Sequence, residues 1–504
     1  EQYLNYSDVK ACFELTLYNE TKAIQYDVAN LIGELRDGHT WLLSDNYHKY
    51  TFYQGLSMYS VIKKDGTQQI KVFNDVKDPS TIDCQVIEID DRPAIEVITE
   101  FARNKTYWSK DLSARFNSAL ASLTFGNGDF QISGQFFTAR TQLPTNPSIS
   151  YTLKCNDKIS KITRKWQVPI KDKSLSISQY KSPYINGTSV GEATLIFDAF
   201  IARFYILQNF GVVLISTEET LNNDNDLEYR FLNDLTAGFK LLADKGIKKI
   251  ILDLSNNSGG LIFVAHYINK LLFPNIQNFP LDLKVNHISI PFIEEFAKLK
   301  LYGAVFDYKT YISVKTNTSF DNVMDFIGNN IYTRGGVQVK YTTKAFFNDT
   351  TLYTGLLKFP TPPTLPWKEK DIIILTNGIC QSSCAIITQR LAEINVPTIS
   401  VGGFPDNPFS FAQYAVGTAT NTIFINQLLE NLRLKNLDAS LISKLTFPPN
   451  LTMGFTIAEA YSINNPDEVM DYTFRPADYQ LYYDERSARD PSCLWIQAAK
   501  YIEE

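Results

Sequence analysis

Between about positions 210 and 401 the chain alternates strand-like and helix-like runs, and no other feature narrows the fold as far. "FGVVLIS" precedes the helical "DLEYRFLNDLTAGFKLLADKG", and "IKKIILDL" leads through a glycine-bearing loop into "LIFVAHYINKLLF". "DIIILT" then leads through a tight turn into a helix reaching about Ile394, and "PTISVGG" follows. Short apolar strands alternating with helices predict βα units and a mostly parallel sheet covered by helices. In such sheets chemistry gathers in loops beyond the C-terminal ends of strands. Two loops meet that condition: "SNNSGG", after the strand ending at Leu254, and "NGICQSS", after the strand ending at Thr376.

The rest of the chain has a different texture. The first 51 residues read as helix, with Val28, Leu31, Ile32 and Leu35 at helical spacing and a break at Asp37-Gly38. From about 52 to 175 short β-like runs ("GLSMYSVI", "QQIKVF", "CQVIEID", "SISYTLKC", "RKWQVPI") surround one helical stretch, "AIEVITEFARN". A link, "KDKSLSISQYKSPYINGT", makes a boundary near 185. The expected organisation is a helical segment at 1–51, a small β-rich domain at 52–185 and an α/β domain at 186–504. The last carries a long, less regular insertion at about 275–368. A chain of 504 residues, 44% of them hydrophobic, can build more than one core.

A net charge of −6 offers no basic footprint for nucleic acid, and no run of about 18 apolar residues encodes a membrane span. A chain that begins at Glu1 and ends in "KYIEE" suggests a removed leader and no hydrophobic anchor tail. Cys12, Cys84, Cys155, Cys380, Cys384 and Cys493 are compatible with export, and sequons at Asn5, Asn19, Asn104, Asn186, Asn317, Asn348 and Asn450 add weak support. The expected location is secreted or lumenal.

Four histidines (His39, His48, His266, His287), with no H-E-x-x-H and no C-x2-C pair, make a zinc site improbable. His39 follows a turn in "RDGHT" and is better exposed than His266, inside a helix, whereas His48 reads as solvated. At "CQSSC" two readings stay open. Ser382 or Ser383 could be a nucleophile at a helix start, where unpaired N–H groups and the helix dipole favour an oxyanion. Serine is equally a favoured helix N-cap. Gly259-Gly260 could let backbone approach a ligand, or could serve only a loop-to-helix connection. Cys380 and Cys384 could bridge to each other, to Cys493, or stay buried thiols.

Taken together and in order, these loops resemble the tail-specific (C-terminal processing) serine peptidases. "KKIILDLSNNSGG" is similar to that family's strand ending in Asp-Leu-Arg-x-Asn-Gly-Gly-Gly, with Ser258 in place of a glycine. "ILTNGICQSSCAIITQRLAE" is similar to its Asn-x-x-Ser-Ala-Ser-Ala turn, with Ser382 in the nucleophile's place, and "PTISVGGFP" to the strand and Gly-Gly that follow. The closer similarity is to the His-using branch, with fungal secreted members and relatives of the chlamydial protease-like activity factor. There "LRDGHT" corresponds to an Asp-Gly-His segment and "FRPADYQLYY" to a shared C-terminal stretch. The resemblance runs from about 25 to 500. It implies a crotonase- or ClpP-like catalytic core with parallel βα units, plus a PDZ-like domain. Many bacterial members use a Ser–Lys dyad, but no lysine lies between Leu391 and Leu434 here, which points to His39 as the base.

The implied function is a serine endopeptidase working through an acyl-enzyme, of Ser-His-Glu type, with peptide or protein as substrate and no metal or cofactor. Ser382 and His39 are the expected catalytic pair. Glu459 is the expected third member, ahead of Glu430, Glu468 and Asp438, and the N–H of Ser383 with that of Gly259 or Gly260 is the expected oxyanion hole. A homodimer is carried as an open expectation, and the insertion as a candidate lid. The rival is a non-catalytic ligand- or peptide-binding protein on the same fold, as retinoid carriers are. An esterase is disfavoured, because no G-x-S-x-G elbow occurs.

Overall fold

The computed structural model describes residues 3–503 apart from 5, 8, 12–19, 45–49, 127, 138–139, 141–142, 170–181, 200, 220–224, 288, 300–304, 349–358, 414–417 and 432–450. Cys12, His48, Asp438 and much of the expected link lie outside the described residues.

The βα alternation forms one curled, nine-stranded sheet. Five parallel strands neighbour one another in the order Phe210–Ile215, Lys249–Asp253, Ile372–Thr376, Thr398–Val401 and Tyr479–Leu481. Antiparallel strands, including Ala193–Asp198 and Ala202–Leu207, extend it on the other side of Phe210–Ile215. The central strands are apolar on both faces because both are covered. Ile250, Leu252, Ile372 and Ile374 point into a core shared with the helices Asn225–Asp244, Ile262–Leu272 and Ser383–Glu393. Ile251, Ile373 and Leu375 point the other way, onto Trp495 and Ala498 of the helix Pro491–Glu503. The Trp495 indole donates to Asp253 Oδ2 at 2.7 Å, partnering a carboxylate at the end of its strand. Strands Lys249–Asp253 and Ile372–Thr376 pair with Asp253 opposite Leu375, so the two candidate loops leave the sheet side by side.

The β-rich segment is an antiparallel sheet ordered Lys158–Lys165, Ser148–Cys155, Gln85–Ile89, Gln68–Asp75, Leu56–Ile62, packed with the helix Ala94–Lys105 over its own core. A Cys84–Cys155 disulfide joins two of its segments. The helix Leu112–Ala119 contributes Phe116 and Ala119 to that core. Its Asn117 amide reaches the main sheet, donating to Asn377 O at 2.8 Å and Val401 O at 2.9 Å and accepting from Gly403 N at 2.9 Å.

The insertion is more regular than its sequence suggests. It forms the strands Leu281–Val285, Tyr311–Ser313, Asn330–Arg334, Val337–Tyr341 and Ala345–Phe347 and the helix Ser289–Leu299, and the strand Ala458–Ala460 joins its sheet against Leu281–Val285. The weak alternation of these short strands hid them. The expected helical segment at 1–51 is helical in part only: the helix Glu20–Gly33 forms, but Tyr3–Leu4 and Trp41–Ser44 are strands, and Val28 and Leu31 on the helix and Leu35 beyond it stay exposed at 39%, 64% and 57%. Helical spacing marked a face that the described residues do not bury. No helix among the described residues is long and apolar enough to cross a membrane.

Candidate active site

Where Ile372–Thr376 ends, the backbone turns sharply. Gly378 takes a φ of +78° against the Phe409 ring, where a side chain would not fit. Asn377 and Asn256 exchange bonds across the paired loops, with Asn256 N donating to Asn377 Oδ1 at 3.0 Å and Asn377 Nδ2 to Asn256 Oδ1 at 2.8 Å. Gln381 N then donates to Asn257 O at 3.0 Å, and the Cys380–Cys384 disulfide closes around Gln381, Ser382 and Ser383. Cys493 remains a thiol.

Ser382 stands at the N-cap of the helix Ser383–Glu393, and the geometry separates the two readings of it. Its φ of +53° and ψ of −120° lie in a region costly for a residue with a Cβ, and its side chain makes no capping bond. The hydroxyl meets His39 instead, Oγ to Nε2 at 2.9 Å.

His39 is fixed from both sides. Asp37 folds the turn, its Oδ1 accepting from His39 N at 3.0 Å and its Oδ2 from Thr40 Oγ1 at 2.7 Å. The strand Trp41–Ser44 then pairs with Leu451–Thr456, with Gly454 under the Trp41 ring, where a Cβ would stand 2.3 Å from it. Burial pushes the His39 imidazole down to about 4, against the opposing pull of the Asp37 carboxylate. The ring is therefore neutral at pH 7, and Nε2 can accept a proton from the hydroxyl it faces. His266, by contrast, is a core residue stacked on Phe347, and His287 is exposed.

Gly259 and Gly260 arrive beside this pair with different roles. Gly259 has a φ of +92°, and a Cβ there would lie 2.5 Å from Gln381 O and 2.7 Å from Ser382 Cβ. Its N–H donates to Asn257 Oδ1 at 2.8 Å, so the expectation that it binds an oxyanion is corrected: it is a close-approach glycine. Gly260 bridges to Glu218 through Gly259 O and Leu261 N, which leaves its own amide directed away from that contact. Ser383 opens the helix, where the first N–H groups have no carbonyl in the ladder. Its buried hydroxyl donates to Glu218 Oε2 at 2.7 Å, and Asn257 Nδ2 donates to Glu218 Oε1 at 2.7 Å.

Glu459 is buried but does not reach His39. Arg334 grips both its oxygens (Nε at 3.0 Å to each, Nη2 at 2.6 Å to Oε2), and the hydroxyls of Tyr341, Tyr461 and Tyr472 donate to it at 2.7, 3.1 and 3.3 Å. Burial acts to raise this carboxyl, but those bonds outweigh it and hold it below the usual glutamate range. It lies in the middle of the strand Ala458–Ala460 rather than at a strand end, and its hydrogen-bond partners among the described residues do not include His39. Arg334, which holds it, comes from the insertion. A cavity of about 230 Å³, lined by Asp37, Thr40, Lys110, Phe455, Glu459 and Tyr472 among others, opens against the histidine turn. Glu430 lies on the helix Thr422–Asn431, and Glu468 pairs with Arg475 at 3.3 Å.

Asp37, Asn257 and Glu218 went unassigned in the sequence. The first two had signals: an Asp two residues before His39, and an Asn two residues before a glycine, both Asx-turn patterns. Glu218, in "STEET", had none. Among the described residues no group of three or more His, Cys, Asp or Glu could hold a metal.

Residues 51–171 match the model of the CPAF-like PDZ domain. The Peptidase S41 family protein ustP of Aspergillus flavus is 24% identical over 306 residues, spanning 50% of this chain and 61% of that protein, less than two thirds of its length. Among solved structures, mature chlamydial CPAF superposes with a TM-score of 0.56 at 13% identity, covering 95% of this chain and 85% of that one. A CPAF mutant gives 0.57 at 14% identity, covering 95% and 86%. The curled α/β sheet with its antiparallel companion therefore has the CPAF fold, and the chain is similar to an S41 family peptidase over half its length and matches the CPAF-like PDZ domain at residues 51–171.

Proposed function

We propose that the chain is a serine endopeptidase that cleaves peptide bonds through an acyl-enzyme, with Ser382 as nucleophile and His39 as base. One observation carries the reading: Ser382 Oγ and His39 Nε2 stand 2.9 Å apart although 343 residues separate them in sequence. As Oγ bonds to the carbonyl carbon, Nε2 takes its proton and then passes it to the leaving amine. Water enters by the same route and releases the acyl group. The amides of Ser383 and Gly260 face the oxyanion, each donor being worth about two to three orders of magnitude in rate. Asp37, rather than Glu459, is the carboxylate acting on the imidazolium. The two disulfides support work in an oxidising compartment, secreted or lumenal. Extended peptide would pair with the outer strand Lys158–Lys165 of the PDZ sheet, an edge strand with mostly exposed side chains.

The test is labelling with a fluorophosphonate probe. Wild type should label, and Ser382→Ala and His39→Ala should not. An unlabelled wild type, or labelling that survives Ser382→Ala, overturns the assignment in favour of a binding protein.

A further inference from the structure

Glu218 is a wholly buried carboxyl that the reaction above does not use, and it touches both halves of the oxyanion site. Its backbone is joined to the glycine loop, with Glu218 N donating to Gly259 O at 3.2 Å and Leu261 N to Glu218 O at 3.0 Å. Its side chain takes the Ser383 hydroxyl on one oxygen and the Asn257 amide on the other, both at 2.7 Å. Asn257 in turn holds Gly259 N through Oδ1 and receives Gln381 N on its carbonyl. One residue thus spans the loop that carries Gly260 and the helix start that carries Ser383. Burying a carboxyl among uncharged partners is costly for stability, and an amide or apolar side chain would cost less.

We propose that Glu218 is a positioning residue that sets the gap between the Ser383 and Gly260 amides, and that its carboxylate form is the competent one. The inference rests on the peptidase reading. Asn257 Nδ2 can only donate, and Ser383 Oγ donates in the observed arrangement, so the pair matches an acceptor-only carboxylate. Adding a proton to Glu218 forces the Ser383 hydroxyl to turn round and accept, which unpicks the tie to the helix start. Burial pushes the carboxyl up to about 7, opposed by the Ser383 and Asn257 hydrogen bonds, so both forms are populated near neutral pH. The groups facing it are Asn257 from the glycine loop and Ser383 from the helix. The titratable groups around them are Glu219, exposed and next in the chain, and His39 beyond Ser382, held neutral down to about pH 4. Glu218→Gln, which removes the titrating carboxyl and leaves His39 in place, decides whether a rising limb near pH 7 belongs to Glu218 or to the base.

The experiment follows the rate of fluorophosphonate labelling of the full chain from pH 4 to 9, with kcat and KM on an unstructured protein substrate, for wild type, Glu218→Gln and Ser383→Ala. Wild type should show a limb near 7. Glu218→Gln should lower kcat 10- to 100-fold with little change in KM and lose that limb. Ser383→Ala, which keeps its amide but removes a bond that favours the carboxylate, should move the limb to higher pH. Loss of the limb in one variant and its upward shift in the other are not produced by general loosening, and Ser383→Ala reads the same linkage if Glu218→Gln fails to fold. Labelling of Glu218→Gln at the wild-type rate with the limb still near 7, or an unmoved limb in Ser383→Ala, overturns this inference alone. A wild type that never labels overturns it together with the peptidase reading.

Discussion

Gly259→Ala tests the closeness of the two loops directly. At a φ of +92° the new methyl sits in backbone space that L-residues avoid, at about 1 kcal/mol. It also lands 2.5 Å from Gln381 O, 2.7 Å from Ser382 Cβ and 3.2 Å from Ser383 N, and the first and last of these are backbone atoms that no rotamer change can move aside. Overpacking of this kind adds about 1–3 kcal/mol, giving roughly 2–4 kcal/mol in total. Gly246→Ala supplies the internal control: its φ is +75°, and nothing lies within 4 Å of the added carbon, so about 1 kcal/mol is expected there. To reach ordinary contact the nucleophile turn must retreat by about 1 Å, a displacement worth about 100-fold in rate. Urea denaturation midpoints and fluorophosphonate labelling rates of the two variants separate the terms. If Gly259→Ala is no less stable than Gly246→Ala and labels at the wild-type rate, the loops are not in the contact described.

Glu459→Gln should label within about 10-fold of wild type, because the carboxylate serves Arg334 rather than His39, while losing stability as a buried charge pair is broken, by about 3 kcal/mol; loss of labelling equal to that of His39→Ala would restore it to the catalytic set. Removing the Cys380–Cys384 bridge by double alanine substitution should cost about 2 kcal/mol, since the loop it closes is short, against about 4 kcal/mol for Cys84–Cys155, which closes a separation of 71 residues. The ranking should invert for labelling rate, with only the first pair slowing it, and an equal effect of both on labelling would refute the local role of the first.

What the sequence disclosed follows the range of the forces involved. The strand Ile372–Thr376 and the helix Ser383–Glu393 announce themselves because apolar runs and a turn are local signals. His39 was singled out by the turn before it, by the resemblance of "LRDGHT" to an Asp-Gly-His segment, and by a missing lysine. Glu459 was put forward from its place after a strand-like run, which says where a side chain starts and not what it meets; it lies inside the strand Ala458–Ala460. The guanidinium that takes it lies 125 residues away, in an insertion whose strands gave little periodic signal. Gly259 looked like an amide donor because glycine shows that backbone comes close without showing which backbone group is spent. Glu218 left no trace, since a carboxyl is buried only by tertiary structure, and nothing in "STEET" distinguishes it from an exposed neighbour.

The Asn117 amide has a mechanical consequence. Three of its hydrogen-bonding positions are filled by main-chain groups at the ends of the strands Ile372–Thr376 and Thr398–Val401, while its helix is embedded in the PDZ core. Swinging the PDZ domain away as a hinged arm would break all three bonds at once, at about 1 kcal/mol each, and would pull on the carbonyl of Asn377, five residues before Ser382. The module is geared to the nucleophile's strand rather than tethered beside it. A load placed on the PDZ domain would reach the strand end below Ser382 through this side chain, alongside bonds such as Gln68 Nε2 to Gly403 O and Ser410 N to Asp111 Oδ2.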